Sequence, residues 1–417
     1  MTENRCVIAG GGPAGAVLAL LLARSGVPVT LLEKHADFLR DFRGDTIHPS
    51  TLEVLDELGL AGEFHRLPHR KARRMSIRTD DAEIPLADLS GLGSRYPYIA
   101  FVPQWDFLNL VTTAAARHPG FRLIMNAEVT GVIREGGAVR GVRYRDTSGG
   151  ISDDGSGRAS QEHEIRATLT VAADGRHSDV RRAAGLVPVE HGAPMDVVWF
   201  RLPREPGDTG ETFLRVSSGH LMVAINRESY WQLAYVIPKG GFEDLKGRGV
   251  EALREPVARM LPFLAGRVHL IEDFGDVSVL SVALNRLRRW YRPGLLVIGD
   301  AAHAMSPVFG VGINLAVQDA VAAANLLAGP LLAGGQIPQS LLARVQRRRT
   351  PPTVITQFAQ RVVQNRLIRP ALHGVAEPVR FPRDVSRLPV VAPLVRRFIG
   401  LGVRPEHVRT PVASARP

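Results

Sequence analysis

Three groups of residues in this 417-residue chain have the types and spacing that cofactor chemistry needs. The first is Gly10-Gly11-Gly12-Pro13-Ala14-Gly15, followed after the next apolar run by Glu33. In such a turn Gly10 permits the sharp bend, and Gly12 lets the backbone approach a pyrophosphate with no side chain in the way. Gly15 lets the following helix lie close on its strand. The uncapped N–H groups and partial positive charge of that helix end favour phosphate, while Glu33 falls where a carboxylate takes ribose hydroxyls. The second group is Gly299-Asp300, with Pro307 and Gly310-Val311-Gly312-Ile313-Asn314 beyond it. Its carboxylate suits a polyol, and its glycine loop opens a second helix whose N-terminus favours an anion. The third is Asp174-Gly175, with Ser178 placed to cap a short helix containing Arg181. Asp174 has two readings here, a cofactor contact or a turn residue capping its own backbone.

These residues need a framework. Residues 6–9 read as a buried strand, 14–24 as a helix closed by Ser25-Gly26, and 27–32 as a second strand, which together form a βαβ opening. Strands over 170–173 and 295–298 lead into the other two groups, and helices are expected over 105–116 and 315–327. Between 186 and 290 the alternating runs 197–202, 220–225 and 230–237 read as an antiparallel sheet, to which 75–84 adds a strand or two. The fold class is α/β: a Rossmann-like domain interwoven with an α+β substrate domain on a mainly antiparallel sheet, plus C-terminal helices. The expected division is 1–74, 99–185 and 280–330 for the cofactor, 75–98 and 186–279 for the substrate, and 331–417 as a C-terminal helical segment and tail. Helical segments are expected at 339–349 and 354–369, and 148–161 reads as a hairpin tip.

Composition narrows the classes. The chain is 45% hydrophobic and 22% charged, enough for a large core. Its one cysteine, Cys6, leaves no internal disulfide and fits a reducing cytoplasm. No signal-peptide pattern and no membrane-length apolar run are evident, so stable membrane insertion is not expected. No metal-ligand spacing stands out. The formal charge of +11 comes almost wholly from scattered arginines with no aromatic interleaving, which argues against nucleic acid. Peripheral membrane association or attraction of anions stays open, and the apolar, arginine-flanked run 390–399 would then rest on a membrane, lid the site or pack on the body.

The three groups, in this order, resemble the FAD-dependent aromatic hydroxylases of the p-hydroxybenzoate hydroxylase type, the single-component flavoprotein monooxygenases. The resemblance runs over about 5–330. It implies FAD contacts from Gly10, Gly12, Pro13, Ala14, Gly15, Glu33, Asp174, Asp300, Pro307, Gly310, Gly312, Ile313 and Asn314. It also makes Arg43 a flavin contact and sets Gln104 against FAD. The implied activity consumes NADPH or NADH as a transient reductant and O₂ as co-substrate. One oxygen atom enters an aromatic or polycyclic small molecule, phenolic or polyketide-like, through a C4a-hydroperoxyflavin. Pro307 would sit at the reacting edge. Hydroxylation, epoxidation and Baeyer–Villiger insertion all stay open.

That chemistry needs a dry chamber over the flavin, and the middle sheet is its expected roof. Trp199 and Arg201 share one face of their strand; Met222, Trp231 and Tyr235 are further lining candidates. Ordinary sheet packing explains each equally well. Asp45 and His48 admit two readings: a His–Asp pair that deprotonates a phenol, or a local turn in which Asp45 pairs with Arg43. His303 reads as support near the flavin. Other functions of the same fold are a flavin oxidoreductase without oxygen insertion, such as a prenyl-chain reductase, a halogenase, and a non-enzymatic prenyl-protein chaperone. The halogenase W-x-W-x-I-P segment is absent, and the intact Gly299-Asp300 group argues against the chaperone.

Overall fold

The computed structural model describes residues 4–39, 45–148, 161–217, 219–372 and 391–413. Among them, the strands Cys6–Ala9, Val29–Leu32, Phe121–Ile124, Leu169–Ala172 and Leu295–Val297 form a parallel sheet, extended by the antiparallel Tyr291–Arg292. Four of these strands are buried along their whole length, with Thr30 and Thr170 their only polar residues, as a covered parallel sheet requires. Six labelled helices serve the argument: α1 (Pro13–Arg24), α2 (Pro49–Glu57), α3 (Asp179–Ala183), α4 (Gly312–Ala333), α5 (Gln339–Val363) and α6 (Val391–Gly400). One sheet face packs on α1 and α4; the other is covered by the antiparallel strands Ala127–Glu135, Ala138–Asp146 and Glu162–Arg166. The expected hairpin tip falls largely at 149–160, outside the described residues.

Register is what gathers the motifs. Ala9 lies opposite both Leu32 and Ala172, and Ala172 opposite Val297. The chain therefore leaves the sheet at Gly10, Glu33, Ala173-Asp174 and Ile298-Gly299 along one carboxyl edge, where open α/β sheets bind their ligands.

A second sheet runs in the order Ser278–Leu280, Met195–Pro203, Tyr230–Pro238, His220–Asn226, Phe213–Ser217, Arg74–Arg78, Glu83–Asp88. All its pairs are antiparallel except Phe213–Ser217 with Arg74–Arg78. Helices at Phe242–Gly247 and Glu251–Met260 and the 3₁₀ segment Pro262–Leu270 cover one face. Met222, Trp231 and Tyr235 belong to that face, so three expected lining residues point away from the cofactor side. The reason is alternation: they share a face with Val198, Phe200 and Leu233 and fill the sheet–helix core. Trp231 is fully buried with its indole N–H on Asp208, and the Tyr235 hydroxyl meets His220 Nδ1 at 2.6 Å. The opposite face, carrying Val197, Trp199 and Val223, looks toward Val308 and Phe309.

Two expected elements differ. The segments 339–349 and 354–369 form one helix, which runs through Pro351-Pro352 and continues by a π turn (Gln364–Ile368) into Arg369–Leu372. Burial of Pro352 and Thr353 against the body overrides the loss of two N–H donors. The stretch Val308–Ala333 is long and apolar enough to cross a membrane, yet 72% of its apolar window is buried inside the molecule: it contains the core helix α4.

Replacing Trp231 by Ala should cost about 3–5 kcal/mol, the usual penalty for emptying a buried aromatic site. Denaturant unfolding monitored by circular dichroism checks this. A loss below 1 kcal/mol would remove Trp231 from the core.

Candidate active site

The glycine turn has the mechanical roles its spacing suggests. Gly10 sits at φ +101°, and a Cβ there would strike the Ala173 carbonyl. A Cβ on Gly15 would collide with the Gly10 carbonyl oxygen, whereas one on Gly12 would meet nothing within 4 Å. The open side of the turn is therefore the one a pyrophosphate needs. Helix α1 begins at Pro13 with no side-chain cap, leaving its first N–H groups for an anion. Glu33 is buried and accepts from Gly11 N–H at 3.0 Å and His35 N–H at 3.1 Å, which fixes its carboxylate beside the turn.

The Asp174 carboxylate accepts from the Ser178 hydroxyl and from Val180 N–H at 3.1 Å, and Ser178 accepts from Arg181 N–H at 2.9 Å. Asp174 thus helps cap α3, and burial raises its carboxyl above the usual range. Arg181 then donates to the Ala301 carbonyl at 2.9 Å and the Arg176 carbonyl at 2.8 Å, tying this loop to the Gly299-Asp300 group. Asp300 keeps about a third of its side chain exposed, 4.0 Å from Arg176. Gly299, at φ +60°, lies where α1 and α4 cross: a Cβ would come within 3.0 Å of Ala14 and 3.6 Å of Ala316.

Beyond it, Pro307, Val308, Phe309 and Gly310 form a tight turn into α4. Phe309 has a left-handed backbone (φ +70°), strain that a non-glycine residue keeps only where the surroundings enforce it. Its ring packs edge-to-face on Phe398 of α6 at 5.7 Å. A Cβ on Gly312 would meet nothing within 4 Å, and α4 starts with no side-chain cap, a second open helix N-terminus. The Asn314 side chain is turned to the protein: Oδ1 accepts from His48 N–H at 3.0 Å and the Thr51 hydroxyl at 2.6 Å. Any contact of Asn314 with a flavin therefore falls to its backbone.

A set of side chains that the motifs do not include holds this loop. Asp319, fully buried on α4, accepts from Gly299 N–H at 3.1 Å and pairs with His303 Nε2 at 2.6 Å and Arg349 of α5 at 3.0 Å. Arg349 also reaches Glu406 at 3.4 Å. Burial alone would raise the Asp319 carboxyl, but His303 and Arg349 overturn that and hold it below its ordinary value. Gln357 donates to the Ala304 carbonyl, Gln360 to those of Ser306 and Val308, and Gln364 to the Ser306 hydroxyl. Lone charges in apolar helices and glutamines three and four apart were the available signals.

The expected Asp45–His48 pair does not form. Asp45 is bound to Arg227 from the second sheet, while His48 donates from Nδ1 to the Ile399 carbonyl at 2.7 Å. Burial pushes His48 down to about 4, against the Ile399 and Gly310 carbonyls, so it stays neutral. With Nδ1–H directed to a carbonyl that cannot return a proton, this ring is a structural tie to α6. Burial likewise raises Asp45, with Arg227 as the leading opposing charge. Arg43 lies outside the described residues. Gln104 begins the helix Gln104–Ala116, and its backbone N–H binds the Asp45 carboxylate.

Above the α4 loop, Trp199 packs with Phe101, Ile225, Phe309 and Phe398, and its buried indole N–H has no partner. Arg201 is exposed near the Tyr230 ring. The residues present therefore fit FAD: two uncapped helix ends, open space at Gly12 and Gly312, an acid at the second strand, and an apolar, aromatic cluster above the α4 loop.

Comparison with known proteins agrees. The family model for the FAD binding domain matches residues 3–365. The chain is 33% identical over 399 residues to 6-methylpretetramide 4-monooxygenase of Streptomyces rimosus, covering 94% of this chain and 91% of that one. The fold matches PqsL, a probable FAD-dependent monooxygenase of Pseudomonas aeruginosa, at TM-score 0.73 and 22% identity, over 90% of this chain and 99% of that chain. It also matches the OxyS anhydrotetracycline hydroxylase of Streptomyces rimosus at TM-score 0.73 and 22% identity, over all of this chain and 78% of that one.

Asp319→Ala should cost about 3–5 kcal/mol, since it strands Arg349 in the interior. A carboxyl held low in the fold stabilises above its unfolded pKa and stops doing so as pH falls through the folded value. The gap between wild type and variant should therefore be full at neutral pH and narrow below about pH 4, measured by urea unfolding across pH. Gln360→Leu, which leaves two buried carbonyls unpaired, should loosen the loop and weaken FAD retention about tenfold in a flavin titration. Unchanged retention would detach the glutamine column from the site.

Proposed function

The chain belongs to the FAD binding domain family of flavin-dependent aromatic monooxygenases, and on that premise we propose that its substrate is a neutral polycyclic aromatic molecule of polyketide type. When bound, FAD would supply the redox chemistry, by which NAD(P)H is consumed and one oxygen atom of O₂ enters the substrate while the other leaves as water. The residues of this chain bind, orient and keep dry. Gly10, Gly12, Pro13, Ala14 and Gly15 take the pyrophosphate, and Glu33 the adenosine ribose. Asp300 would take the ribityl chain, with Asp174 and Gln104 on the same side; the ring contact that the resemblance assigns to Arg43 lies outside the described residues. The uncapped N–H groups of Gly312, Ile313 and Asn314 would lie beside the ring and favour the negative charge it would gain on reduction. Pro307 and Gly310 shape the loop at the reacting edge.

The observation that carries the substrate class is the aromatic cluster above the α4 loop. Trp199, Phe101, Phe309 and Phe398 are aromatic, and Arg227, beside the Phe101 ring, is paired with Asp45. The unpartnered Trp199 N–H is the expected donor to a substrate carbonyl or phenol, because a buried indole N–H ordinarily has an acceptor. The 33% identical relative, named for 6-methylpretetramide, supports a fused-ring substrate. In this reading 1–74, 99–185 and 280–330 hold the cofactor, 75–98 and 186–279 roof it, and 331–417 braces the loop from behind.

The test is NADPH and NADH oxidation by the purified yellow protein, across fused-ring phenols and single-ring hydroxybenzoates. Fused rings should accelerate oxidation, and Trp199→Phe should raise their KM about fivefold, one hydrogen bond's worth, with little change in kcat. Stimulation by benzoates alone would overturn the substrate class.

A further inference from the structure

The outer face of α5 and its continuation takes no part in the flavin site. From Asp319 to Glu377 the sequence contains no intervening acidic residue. Arg348 and Arg349 are engaged by Glu406 and Asp319. Arg344, Arg347, Arg361, Arg366 and Arg369 are exposed and have no ion pair among the described residues. Between them, Val354, Ile355, Phe358 and Val362 are 37%, 46%, 65% and 44% exposed. Up to the π turn, Arg344, Arg347, Val354, Ile355, Phe358, Arg361 and Val362 fall on one broad helical face, with Arg361 among the apolar side chains and Arg366 and Arg369 following beyond the turn. From Arg344 to Arg369 this ridge spans about 38 Å at the α-helical rise.

We propose that this ridge docks the enzyme on an anionic lipid bilayer. The ridge's aromatic and branched side chains can enter the acyl boundary, while arginine stems lie along it and their heads meet lipid phosphates. The absence of acids removes any repulsion from the headgroups, and the formal charge of +11 favours approach. A second copy fits poorly: a two-fold pairing through Phe358 would set the arginines of one chain against those of the other. The inference is independent of the substrate reading.

Co-sedimentation of the flavin-loaded protein with vesicles tests it. Vesicles of equal parts phosphatidylcholine and phosphatidylglycerol should carry the protein down, pure phosphatidylcholine should not, and about 1 M salt should release it. Phe358→Asp should weaken binding at least tenfold and Arg361→Glu at least about fivefold, with flavin content and NADPH oxidation unchanged. Failure to bind anionic vesicles, equal binding to neutral ones, or no effect of either variant would overturn the proposal. So would a dimer in light scattering that Phe358→Asp dissociates, or a photocrosslink from position 358 to the chain's own 373–390 segment.

Discussion

One buried carboxylate organises the reactive half of the molecule. Asp319 sits inside α4 with no solvent contact, and only its three partners make that placement tolerable. Those partners come from the Gly299 turn, from His303 a few residues on, and from Arg349 of α5. Because an uncompensated buried charge costs more than most conformational alternatives, the four groups hold one arrangement. The Gly299-Asp300 turn, the start of α4 and the long C-terminal helix are thereby set relative to one another.

Two edges meet in front of that centre. The register of the parallel sheet brings Gly10, Glu33, Asp174 and Gly299 to one carboxyl edge, and α1 and α4 both start there uncapped. The second sheet contributes its Trp199 face as a roof and, through Arg227 and Asp45, a buried ion pair that joins the roof to the segment next to Arg43. Helix α6 closes the far side through Phe398 on Phe309 and through His48 on the Ile399 carbonyl. The C-terminal region is thus part of the site's wall.

Much of this was legible in the residues. Glycines are informative because few other reasons place three of them at that spacing; Gly10 and Gly15 have a steric cause in the fold, and Gly12 keeps open the side a pyrophosphate needs. The helices and strands carrying the motifs follow from apolar periodicity and burial. What was not legible depends on partners distant in sequence. Asp45 and His48 look like a pair because they are neighbours, but their partners, Arg227 and Ile399, come from other elements. Met222, Trp231 and Tyr235 alternate correctly along their strands, yet alternation cannot say which face meets helices and which meets the cofactor. The glutamines Gln357, Gln360 and Gln364 read as an ordinary polar stripe until the loop carbonyls opposite them are known.

The central claim is that this arrangement keeps a flavin dry enough to pass oxygen to a fused-ring aromatic substrate. The most direct measurement is turnover under ¹⁸O₂ with mass spectrometry of the product. The account predicts one labelled oxygen atom per product molecule and none when the label is in water. Consumption of NADPH and O₂ with no labelled product, across the fused-ring panel, would contradict it.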